Sequence, residues 1–100
     1  MEKNKFEWDE NKNKSNKDKH DIEFEDAKEI FDDPMRIESE DTRKNYSEKR
    51  YITIGKVKNA ILTVVYTIRK KINRIISARR SNKNERNNYN SQQKPNNDDK

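Results

Sequence analysis

The run RYITIGKVKNAILTVVYTIRKKINRIISARR, residues 50–80, decides the fold. Arg50–Gly55 alternates through Ile52 and Ile54, the period of a strand with one buried face. Lys56–Asn59 supplies a turn. Ala60–Ile68 is β-branched and nearly continuous, as a central strand requires. Arg69-Lys70-Lys71 turns the chain again, and Ile72–Arg79 returns with Ile72, Ile75 and Ile76. Connections of three or four residues favour antiparallel hairpins.

Upstream, Lys5-Phe6-Glu7-Trp8 alternates and reads as a short strand. Asp9 is placed to cap a helix, with Glu10 in its first turn. The following Asn11–His20 is wholly polar, and its periodicity fits a weak helix or a loop. Ile22–Phe31 carries Phe24, Ala27 and Phe31 on one stripe, the clearest helix in the chain. Asp32-Asp33-Pro34 ends it, because residues before proline avoid the helical region. Met35–Ser39 predicts a strand with Met35 and Ile37 on one face, and Glu40–Glu48 a loop. Downstream, Arg80–Tyr89 reads as a short helix in which Asn82 and Glu85 form a capping box. From Ser91 onward nothing in the composition can be buried, so residues 1–90 form one domain and residues 91–100 a disordered tail.

Two helices followed by a run of strands predict an α+β fold. The expected architecture is an antiparallel sheet with two N-terminal helices packed on one face and a short C-terminal helix. The other face is left for solvent or ligand.

Composition narrows the chemistry. Charged residues are 43% and hydrophobic residues 27%, so the core must come from the few apolar segments above. The absence of Cys removes thiolate metal sites and thiol nucleophiles. A single His removes any two-histidine site, and a single Gly removes a glycine-rich phosphate loop. No cofactor is expected. The N-terminus lacks the apolar core of a signal peptide. The longest apolar run, Ala60–Ile68, falls short of the roughly 20 residues of a membrane helix. The expectation is a cytoplasmic protein that avoids membranes.

The charge is strongly segregated. Residues 1–49 hold 11 Lys+Arg against 16 Asp+Glu; residues 50–90 hold 11 Lys+Arg against the single acid Glu85. A half-chain this basic points to a polyanion, most simply nucleic acid, with an acidic protein surface as the alternative. Arg74 and Arg79 lie within a strand, and the guanidinium fork suits paired phosphate oxygens. They differ by an odd number, so they share a face only if a bulge intervenes. Arg69 and Arg80, in a turn and at a strand end, read as solvated charges. His20 and Glu48 are candidate general bases, although His20 also suits a helix C-terminus and Glu48 a surface ion pair. Tyr89, on a polar helix, is a candidate stacking residue, or it packs that helix onto the sheet.

Phe6-Glu7-Trp8-Asp9, Lys19-His20, Phe24-Glu25-Asp26-Ala27 and Phe31-Asp32-Asp33-Pro34 resemble the N-terminal half of BrnT-type toxins. Glu48-Lys49-Arg50-Tyr51-Ile52, Ile54-Gly55, Val64-Val65-Tyr66-Thr67, Arg74–Arg80, Glu85-Arg86 and Tyr89 resemble the C-terminal half. The resemblance implies a RelE-like fold and ribonuclease activity. It further implies a cognate antitoxin and repression of the shared operon by a complex that meets operator DNA through that antitoxin. It also makes a helix of the polar stretch after Asp9. Two positions depart from the family pattern: Asp21 replaces the usual Gly after Lys-His, and Glu23 replaces the Ser or Thr before Phe24. The expected chemistry is metal-independent RNA cleavage by the 2′-hydroxyl. Arg50, Arg74 and Arg79 would act as catalytic charge stabilisers, with Glu48 or His20 as base. Arg80, Lys83, Arg86 and Tyr89 would contact RNA. The competing expectation is a non-catalytic module that binds nucleic acid or a protein partner.

Overall fold

The computed structural model describes residues 5–43 and 47–93. Five strands form one sheet: β1 (Phe6–Trp8), β2 (Ile37–Glu40), β3 (Tyr51–Val57), β4 (Ala60–Arg69) and β5 (Ile72–Arg80). Helices α1 (Glu10–His20) and α2 (Phe24–Ala27) lie between β1 and β2, and α3 (Lys83–Gln93) follows β5. The fold is α+β as expected. The strand order is β1-β5-β4-β3-β2. Pairing is antiparallel throughout except that β1 runs parallel to β5, so the sheet is mixed.

The two central hairpins are tight. Lys58 (φ 55°) turns β3 into β4, and Lys70 and Lys71 (φ 51° and 68°) turn β4 into β5. Successive positive φ values at the two central residues are the hairpin geometry that matches strand twist. Lysine occupies it at a steric cost that glycine would avoid.

One face of the sheet carries the core. Ile22, Phe24, Ala27 and Ile30 pack on Val57, Leu62, Val64, Ile75 and Ala78. Phe24, Ile30 and Val64 are wholly buried. Gly55 is required there: a Cβ would meet Ile30 Cγ1 at 2.8 Å and Arg36 Cβ at 2.9 Å.

Helix α1 has no apolar stripe, and hydrogen bonds dock it instead. Asp9 caps it by accepting from the amides of Asn11 and Lys12. Buried Asn16 donates to the Ile22 carbonyl (2.9 Å) and accepts from the Ala78 amide (3.0 Å). Asp21 ends α1 at φ 58°, so aspartate does take the left-handed position. Glu23 makes no side-chain cap; Asn13 Oδ1 accepts from the Phe24 amide in its place.

The helix expected over Ile22–Phe31 is shorter. After Ala27 the chain tightens into a 3-10 segment, Lys28–Asp32. This seats Ile30 over Gly55 and Phe31 between Phe6 and Tyr66 (ring centroids 5.1 and 4.9 Å). Met35 lies before β2 rather than in it and is exposed. Helix α3 runs on through Gln93, three residues into the stretch expected to be tail; residues 94–100 lie outside the described residues. No helix among the described residues is long and apolar enough to cross a membrane.

Candidate RNA-binding and active site

The opposite face of the sheet gathers the arginines. Register puts Thr63 beside Arg79, Val65 beside Ser77 and Thr67 beside Arg74, all pointing away from the core. On β4 the partners of Val65 and Tyr66 are Ser77 and Ile75, so Ile76 is an extra residue and the β5 strand bulges there. The bulge resolves the parity conflict: Arg74 and Arg79 share the face. Their partners, Thr63 and Thr67, are four positions apart on β4, which sets the two backbones about 13 Å apart. The same parity brings in Arg69, two residues after Thr67, and Arg50, two residues before Ile52.

Arg50, Arg69 and Arg74, with Lys12, Asp9, Glu48 and Ile76, line a concavity of about 160 Å³. Four cations meet two carboxylates, and Asp9 is already committed to capping α1. Glu48 accepts two bonds from Arg69, Nε at 3.0 Å and Nη2 at 2.8 Å. These bonds, helped by the charges of Arg69, Arg50 and Arg74, hold its carboxyl below the usual range. Arg74 donates Nη1 to Glu7 at 3.1 Å. The segment bearing Glu48 and Arg50 is fixed from both sides. Thr67 Oγ1 donates to the Lys49 carbonyl, and the Asp41 amide donates to the Arg50 carbonyl (2.7 Å).

At the other end of this face, α3 covers the sheet. Glu85 accepts from both terminal nitrogens of Arg79 (2.8 Å each), from Thr63 Oγ1 (3.0 Å) and from the Asn82 amide (2.8 Å). The Glu85 amide donates to Asn82 Oδ1, completing the expected capping box. Hydrogen bonding from Arg79 overcomes burial and pulls the Glu85 carboxyl down to about 2. Arg79 is pushed up in return.

The remaining expected residues disperse. His20 ends α1, about 15 Å of helix away from the Asp9 end that borders the concavity, so it is not brought to the arginines. Tyr89 is buried and donates its hydroxyl to Asp33 (2.5 Å); its ring is packed and does not offer a stacking surface. Burial and the Asp33 carboxylate push the Tyr89 hydroxyl up to about 12. Burial would raise the Asp33 carboxyl, but bonds from Tyr89 and the amides of Lys56 and Met35 outweigh it and lower it. Arg80 pairs with Leu62 on the core side and is exposed. Arg86 donates to the Ser81 carbonyl (2.8 Å), and Lys83 is exposed in the first turn of α3. Among the described residues, no group of three or more His, Cys, Asp or Glu is placed to hold a metal.

Arg69 and Lys12 line the concavity although neither was expected at the site. Arg69 was legible, since strand parity from Thr67 places it on the arginine face. Lys12 was not, because its position depends on how α1 crosses the sheet edge.

No curated protein matches the chain. A family model, described as the ribonuclease toxin BrnT of type II toxin–antitoxin systems, matches residues 8–85. That span runs from the last residue of β1 to Glu85, taking in Arg50, Arg69 and Arg74, Glu48 and the Arg79–Glu85 pair. The chain therefore belongs to the BrnT family of type II toxin–antitoxin ribonuclease toxins.

Proposed function

We propose that this chain is an endoribonuclease whose active site is the Arg50–Arg69–Arg74 concavity. The observation that carries the reading is the convergence there of three arginines from β4, β5 and the residue preceding β3, beside Glu48, the lining carboxylate not engaged in capping a helix. Such a site binds a ribose-phosphate linkage and stabilises charge developing on phosphorus. The 2′-oxygen attacks the adjacent phosphorus and the bond from phosphorus to the 5′-oxygen breaks. The 2′-hydroxyl proton passes to Glu48, the candidate base within the concavity, and the 5′-oxygen takes a proton from solvent. The products are a 2′,3′-cyclic phosphate and a 5′-hydroxyl. Arg50 and Arg74 stabilise the phosphorane. Arg79, one step along the same face, contacts a flanking phosphate, and exposed Lys83 extends the basic track. A cognate antitoxin neutralises the enzyme in the cytoplasm, and their complex reaches operator DNA through the antitoxin.

Incubating the purified chain with single-stranded RNA in the presence of a chelator tests this. The expected result is cleavage leaving cyclic phosphate ends, reduced about a hundredfold or more in folded Arg74→Ala. Salt-sensitive RNA binding without cleavage of any RNA would overturn the reading in favour of a non-catalytic binding module.

A further inference from the structure

Arg69 ends β4 on the arginine face and meets Glu48 with two parallel N–H donors. A pair of phosphate oxygens satisfies the same fork. Both partners keep access to solvent, with side-chain exposures of 51% and 31%, so an exchange of partner requires no refolding. Glu48 accepts only from Arg69 among the bonds described, whereas Glu85 is also tied to a buried threonine and a helix cap. The backbone beside Glu48 is pinned through Lys49 and Arg50, so its carboxylate stays over the concavity when Arg69 lets go.

The geometry points to Arg69 as a further phosphate-binding residue, and to Glu48 as the built-in anion that occupies it until an RNA phosphate takes its place. This rests on reading the concavity as the RNA site. The Arg69–carboxylate ion pair breaks as the Arg69–phosphate pair forms, and no covalent bond changes. The exchange frees Glu48 beside the bound linkage, where the 2′-hydroxyl proton must go. It also sets a threshold. A lone anion competes poorly with a tethered carboxylate, while a phosphodiester already held by Arg50 and Arg74 displaces it through effective concentration.

A 2′-O-methyl RNA oligonucleotide, which has no attacking hydroxyl, separates binding from cleavage. Its affinity at low salt is measured by fluorescence anisotropy for the parent chain, Glu48→Gln, Arg69→Gln and the double variant, each checked for an unchanged thermal melt. Glu48→Gln should bind roughly three- to tenfold tighter than the parent. In the Arg69→Gln background the same change should alter affinity by less than about twofold, because the released partner is gone. With cleavable RNA, Glu48→Gln should lower KM and kcat together. The exchange is overturned if Glu48→Gln binds no tighter, or if the gain persists without Arg69. A parent chain that neither cleaves RNA nor binds the oligonucleotide would instead overturn the proposed function itself.

Discussion

Three Arg–Glu pairs sit on one face of the sheet, Arg74–Glu7 among them, and the other two are built differently. Arg79–Glu85 lies under the start of α3, where Glu85 joins a guanidinium, a threonine hydroxyl and a helix-cap amide. Arg69–Glu48 lies at the mouth of a concavity, where the carboxylate meets one arginine by hydrogen bond and two more by charge alone. The same pairing chemistry serves two ends. A carboxylate with several fixed partners organises structure, because no single incoming ligand replaces them all. A carboxylate with one solvent-accessible partner leaves that arginine available to a phosphate.

Activity breaks the comparison most sharply. Arg50→Ala, in protein that remains folded, should lower the cleavage rate about a hundredfold or more. Arg79→Ala should do the reverse in emphasis: a rate loss nearer tenfold, expected for a flanking phosphate contact worth about 1.4 kcal/mol, and a lowered melting temperature. Equal rate losses in the two variants, measured on one RNA, would place Arg79 at the scissile phosphate.

Stability gives the next effect. Glu85→Ala leaves Arg79, Thr63 and the Asn82 amide without their shared acceptor. The expected loss is about 2 kcal/mol by urea unfolding. Glu48→Ala should leave the unfolding midpoint where it is. The pH dependence follows from the same contrast. The folded-state pKa of Glu85 is about 2, against an ordinary 4.5. Its stabilisation is therefore complete above pH 4.5 and is lost as pH falls towards 2. Glu85→Gln should flatten the fall of melting temperature across that window without abolishing it, because Asp33 is depressed as well.

What was legible in the sequence was local. The alternation of Ile52 and Ile54, the β-branched Ala60–Ile68 run, the Asp9 cap and the Asn82–Glu85 box each encode their element within a few residues, and each forms as read. The parity of Arg74 and Arg79 made a shared face conditional on a bulge, and the register supplies one. What was hidden depends on distant partners. The parallel pairing of β1 with β5 joins residues 6–8 to 73–75. Helix α1 gives no hydrophobic signal because it is docked through Asn16 to Ile22 and Ala78, and hydrogen-bond docking leaves no periodicity to find. Tyr89 left stacking and packing both open, because the partner that decides for packing, Asp33, lies 56 residues earlier. The site divides the same way: Arg50, Arg69 and Arg74 follow from strand parity, while Lys12 and the remoteness of His20 follow from the placement of α1.

The smallest effect tests the hairpin that presents Arg69. Lys70 and Lys71 both hold positive φ, which a side chain with a Cβ adopts at a cost and glycine does not. Lys71→Gly relieves one such residue, while the greater freedom of glycine in the unfolded chain offsets part of the gain. The net expectation is a stabilisation of about 0.5–1 kcal/mol by urea unfolding. The turn backbone is retained, so Arg69 stays opposite Ile72 and next to Glu48. Cleavage should hold near the parent rate, and only the salt dependence of RNA binding should soften with one cation fewer on the chain. Were Lys71→Gly to destabilise the chain and to slow cleavage together, the hairpin tip would be holding the Arg69 cluster through the Lys71 side chain. The strict separation between an exchangeable pair and a structural pair would then fail at the exchangeable one.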